Sequence, residues 1–120
     1  MKHAAVFLLL FWSATCVFAQ TGETKRKVLI EEKLLSKNEY RITARGYPKP
    51  DLTDPVQING SAGEAALFNA QILARERFRE SLDVIRNGTA KSYRKGDGYC
   101  DVQYIITFPN IKNYLRERKP

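Results

Sequence analysis

The residue types that most often carry out chemistry are scarce in this chain, so where they fall decides a good deal. The single histidine is His3, the single tryptophan is Trp12, and the two cysteines are Cys16 and Cys100. A proton-relaying imidazole or a thiolate–imidazole pair would have to come from this set. Most of the set lies in a stretch that reads as a targeting segment. Lys2 forms a positive start, residues 4–12 are apolar, and Val17-Phe18-Ala19 is the small-x-small pattern that signal peptidase accepts before Gln20. Residues 1–19 are therefore expected to be a cleavable signal peptide, apolar over fewer than the about 20 residues that a membrane-spanning helix needs. Cleavage would remove His3, Trp12 and Cys16 together and leave Cys100 as the free thiol. A mature chain of that kind holds no Ser-His-Asp or Cys-His arrangement, no internal disulfide and no histidine-based or two-cysteine zinc site.

Cys16 has a second reading. It stands where a bacterial lipoprotein carries its acylated cysteine, here preceded by Trp12-Ser13-Ala14-Thr15, and lipidation at Cys16 would anchor the protein to a membrane. Without it no membrane contact is expected. Carboxylates are the other candidates for chemistry. Asp51 and Asp54 lie in a proline-rich stretch, and Asp97 and Asp101 flank Gly98-Tyr99-Cys100. Two acids suffice for glycoside cleavage, yet Asp beside Gly and Pro commonly serves turns through its own backbone. Gly60-Ser61-Ala62-Gly63 lacks the lysine and the preceding strand of a phosphate loop. No metal and no cofactor is expected, and the chain reads as non-catalytic.

Charge points to binding. The sequence has 20 Lys and Arg against 13 Asp and Glu, and loss of Lys2 with the signal would still leave the domain clearly cationic. An excess of this size favours anionic partners. The basic residues are scattered rather than gathered on one motif, so nucleic acid is not the expected partner; a protein or an anionic envelope component is. Arg41, Arg45, Tyr47 and Lys49 are the candidate binding residues, because two arginines alternate along one face of a strand and the other two residues follow it directly.

These residues need a scaffold. Residues 20–27 are polar and without period, a flexible arm, and residues 28–120 read as a single α+β domain. Residues 28–35 suit a strand or a short helix equally, and Ser36-Lys37-Asn38 makes a turn. In residues 39–46 Tyr40, Ile42 and Ala44 alternate with Arg41, Thr43 and Arg45, a strand with one buried face and its arginines turned to solvent or a partner. The prolines at 48, 50 and 55 predict a long exposed connection reaching Gly60. Ser61 and Glu64 match a capping box, so a helix is expected from Ser61 to Asn87-Gly88, with Leu67, Ala70, Ala74, Phe78, Leu82 and Ile85 as its core stripe. Residues 89–98 read as a glycine-bearing loop. Val102, Tyr104, Ile106 and Phe108 mark a second strand that places Cys100 on its buried face, and Ile111, Tyr114 and Leu115 outline a short C-terminal helix. The expected architecture is one long helix on a small antiparallel sheet, a two-layer sandwich.

The run Glu39-Tyr40-Arg41-Ile42-Thr43-Ala44-Arg45-Gly46, followed by a proline loop and a helix carrying Ala70, Ala74-Arg75 and Leu82, resembles the small bacterial envelope lipoproteins that share a domain with the N-terminus of flagellar assembly protein T. The resemblance covers residues 39–108. Phe78 departs from the small residue of that pattern, and the residues before Cys16 depart from a good lipidation signal. The resemblance implies a sheet strand ending in a glycine with an alanine-rich helix packed on it. It also implies a periplasmic or outer-membrane-associated protein, flagellar in one branch, that acts by binding or by a structural role. Two other classes fit the residues: a secreted eukaryotic-type inhibitor or ligand carrier, glycosylated at the Asn59 or Asn87 acceptor patterns, and a hydrolase using Asp97 or Asp101.

Overall fold

The computed structural model describes residues 27–117. The expected signal peptide 1–19, Cys16 and all of the arm 20–27 except Lys27 lie outside the described residues. The chain forms strands β1 (Leu29–Ser36) and β2 (Glu39–Gly46), helix α1 (Pro55–Arg77), strands β3 (Gly88–Gly96) and β4 (Tyr99–Thr107), and a single 3-10 turn at Ile111–Tyr114. The strands make one antiparallel sheet in the order β1-β2-β4-β3. Because β2 and β3 both run antiparallel to β4, they are parallel to each other and need a crossover, which α1 supplies. The result is the expected α+β sandwich of two layers.

Alternation along the central strands sorts the two sheet faces. Tyr40, Ile42 and Ala44 of β2 stand opposite Ile106, Tyr104 and Val102 of β4, and all six are buried under α1. The helix answers with a stripe of small residues, Ala62, Ala66, Ala70 and Ala74, one every four positions and each nearly or wholly buried. Such a stripe brings helix backbone close to strand backbone. A methyl group at Gly46, the last residue of β2, would lie 2.1 Å from the Ala66 amide nitrogen and 2.4 Å from the Ala62 carbonyl oxygen. Glycine at 46 is what the approach requires.

The helix differs from expectation at both ends. It begins at Pro55, not Ser61, because Asp54 caps it by accepting from the Val56 amide at 3.2 Å and proline suits the first helical position. The Ser61 hydroxyl, rather than capping, donates to the Ile58 carbonyl and accepts from the Lys49 amide. The helix stops at Arg77, where Phe78 turns extended, pairs with Leu115 and packs edge-on against Tyr40 at 5.1 Å between ring centres. Leu82 and Val84 enter the core from the irregular segment that follows, whereas Ile85 stays 37% exposed. The expected loop 89–98 is strand β3 plus a tight turn, with Gly98 in the left-handed region at φ 78°. Gly88 opens that strand instead of ending a helix. A side chain there would collide with the Tyr104 hydroxyl, which donates to the Val84 carbonyl at 2.7 Å. The ambiguous residues near 28–35 are strand, and the expected C-terminal helix is only the 3-10 turn.

Candidate functional site

The sheet face turned away from α1 carries no buried residue. Across it lie Glu31 and Lys33 from β1, Arg41, Thr43 and Arg45 from β2, Asp101 and Gln103 from β4, and Ser92 and Arg94 from β3. The register sets them in rows. Thr43 faces Gln103, which in turn faces Ser92, and Asp101 is flanked by Arg45 on one side and Arg94 on the other. A concavity of about 330 Å³ opens at the centre of this face, bounded by Arg41, Thr43, Ser92, Arg94, Gln103 and the two acids Glu31 and Asp101.

Of the candidate binding residues, two lie on this face, and both are more constrained than solvent-facing side chains. Arg45 donates from Nε and Nη2 to the two carboxylate oxygens of Asp101 at 2.8 and 3.0 Å, and its guanidinium lies 3.6 Å from the centre of the Tyr99 ring. Donation to the Asp101 carboxylate holds Arg45 protonated well above the ordinary arginine range. Arg41 pairs with Glu31 through Nη2, while its Nε is enclosed and has no hydrogen-bond partner. Sequence reasoning missed Arg94, because residues 89–98 read as a loop. Its side chain makes no hydrogen bond or ion pair among the described residues.

The other two candidates sit at the end of the sheet. The Tyr47 hydroxyl donates to the Lys27 carbonyl at 3.2 Å and lies near enough to Arg45 to act on its charge. Lys49 is exposed, and its backbone amide is bonded to Ser61 beside α1, so it does not join the arginine face.

Two of the four candidate carboxylates take up structural duties. Asp101 is held by Arg45, Asp54 caps α1, and Asp97 is exposed in the β3–β4 turn. Cys100 is buried, as expected, and loss of solvent followed by the charge of Asp101 pushes its thiol up from the ordinary cysteine value. No group of acids, histidines and cysteines fit for a metal ion occurs among the described residues, and no described helix is long and apolar enough to cross a membrane. Within the described residues the arrangement on the open face can recognise charge and hydrogen-bond acceptors. A separate concavity of about 370 Å³ at the C-terminal end of α1 is lined by Arg75, Arg79 and Arg116, with Glu80 and Asp83 beside them. There two acids share the lining with the cations, and all three arginines are exposed. Comparison with known protein families, with curated proteins and with solved structures finds no match to this chain.

Proposed function

We propose that this is an exported, non-catalytic protein that works by binding another macromolecule through the open face of its sheet. The observation that carries the reading is Arg94, an exposed cation without a hydrogen bond or ion pair among the described residues, which lines a concavity together with Arg41. An acidic group brought by a partner can pair with that cation, and hydrogen bonds to charged groups contribute about 1.5–3 kcal/mol. The strands fix the backbone positions of the surrounding groups, which limits the ordering that contact demands. Export rests on residues 1–19, and the resemblance to envelope lipoproteins supports a periplasmic or outer-membrane setting.

A photo-reactive side chain introduced at Gln103, on the open face, tests the reading against one at Glu64 on the outer face of α1. Cross-links formed in the native compartment should be specific to Gln103, and the mature protein should begin at Gln20. Equal labelling from both positions, or none from Gln103, refutes the binding surface. A natural N-terminus at Met1 refutes export.

A further inference from the structure

Deepening the binding reading, and resting on it, we propose that the open face receives an acidic segment of a partner protein, one carboxylate of which enters the concavity between Arg41 and Arg94. The first reason is a charge count. Three guanidiniums, those of Arg41, Arg45 and Arg94, stand in or beside the concavity with two carboxylates, those of Glu31 and Asp101. Glu31 is taken by Arg41 and Asp101 by Arg45, so both acids of the wall already have a cation. Arg94 is left over, exposed at the opening that Arg41 also lines. One further carboxylate closes the count, and both guanidiniums offer it the charge-assisted hydrogen bonds that bind carboxylates well. Thr43, Ser92 and Gln103 add neutral donors around the same opening.

The second reason is extent. Lys33 on β1 shares this face with Arg94 on β3, and the two stand at opposite edges of the four-stranded sheet. Three interstrand gaps, about 14 Å at the usual spacing, and four residues along the strands, about 13 Å, separate them. A single small acid cannot meet both, whereas an extended peptide with several acidic side chains can. A free carboxylic acid would use the concavity alone and leave the rim idle.

The test uses the protein as it is secreted, with a short fluorescent oligoglutamate as probe and oligoglutamine of the same length as control, followed by anisotropy at low salt. Oligoglutamate should bind and oligoglutamine should not. Arg94→Ala should weaken binding roughly tenfold, the loss expected for one charge-assisted hydrogen bond. Arg41→Lys should do the same, since it keeps a cation for Glu31 but loses the planar guanidinium that can serve a second carboxylate; circular dichroism checks that both variants are folded. Arg75→Ala, at the far end of α1, should leave binding unchanged. Equal binding of the two peptides, or variants without effect, overturns the proposal. So does acetate that displaces the probe as well as free oligoglutamate does, which would mark a small-acid site, or tighter binding to phosphatidylglycerol vesicles that is lost in the same variants. If oligoglutamate fails while cross-links from Gln103 persist, the acidic chemistry falls and the binding surface stands; if both fail, both fall.

Discussion

Replacing Gly46 by alanine should cost this domain a large part of its stability, and the size of the loss follows from what the new methyl would touch. Its carbon would sit 2.1 Å from the Ala66 amide nitrogen, 2.4 Å from the Ala62 carbonyl oxygen and 2.6 Å from the Ala65 carbonyl carbon. All three are backbone atoms of α1, so no side chain can swing aside. Relief requires the helix to lift from β2, which opens gaps under Ala62 and Ala66, both now packed without free space. Overpacking usually costs about 1–3 kcal/mol, and a clash with backbone on three sides belongs at the upper end. Alanine's lower entropy in the unfolded chain returns only about 0.4–1 kcal/mol. A net loss of about 2–3 kcal/mol should lower Tm by roughly 10–20 °C in a domain of this size. Gly60→Ala provides the opposite sign on the same helix, because nothing lies within 4 Å of the added methyl. Helix propensity there predicts a gain of about 1 kcal/mol. Thermal and urea unfolding of the two variants, followed by circular dichroism with an unchanged urea slope, checks both. A Gly46→Ala protein that melts within about 2 °C of the parent would refute the backbone contact on which the packing of α1 is argued.

Two further outcomes follow from titratable groups in the core. Burial pushes the hydroxyls of Tyr104 and Tyr40 up from the ordinary tyrosine value, so the folded chain keeps these protons after the unfolded chain has released them. Their contribution is complete below about pH 10 and is lost as pH rises through the folded values, so urea midpoints should fall steeply above about pH 10 and less steeply in Tyr104→Phe; an equal decline in both proteins would exclude Tyr104 as the source. Cys100, buried and with its thiol shifted upward, should react with a disulfide reagent at neutral pH far more slowly than in urea, and equal rates in the two conditions would place it at the surface.

The parts of the fold that the sequence made legible are those where one face is buried and the other wet. The alternation of Tyr40, Ile42 and Ala44 with Arg41, Thr43 and Arg45 marks β2, and the same period from Val102 to Ile106 marks β4. Strand β3 escaped because it lies at the sheet edge, where α1 scarcely reaches. Its residues are mostly exposed on both faces, so no apolar period records it, and its glycines at 88 and 96 look like punctuation. The end of α1 escaped for a different reason. Phe78 and Leu82 continue the spacing of Ala70 and Ala74, yet they are large where the stripe is small. A helix lying against the sheet at the distance set by Gly46 and Ala66 has no room for Phe78 on the same face. The chain unwinds there, and the aromatic ring packs against Tyr40 from an extended backbone.

The same edge effect explains why only half of the candidate site was legible. Arg41 and Arg45 stand out because they alternate with core residues, and that pattern places them on the open face without saying what they meet. Their neighbours across the sheet are far apart in sequence: Asp101 lies on β4, and Arg94 on a strand that the pattern does not reveal. Pairing decides their chemistry. Arg45, gripped by Asp101 and stacked on Tyr99, is spent on holding β2 to β4 and leaves little for a ligand. On the proposed reading Arg41, tied to Glu31 through one nitrogen and still part-exposed, retains binding capacity, and so does Arg94. Recognition, on that same reading, shifts from the two arginines that the alternation picks out to one of them together with a residue on the edge strand. An anionic partner should be more sensitive to Arg94 than to Arg45 once loss of folding is accounted for.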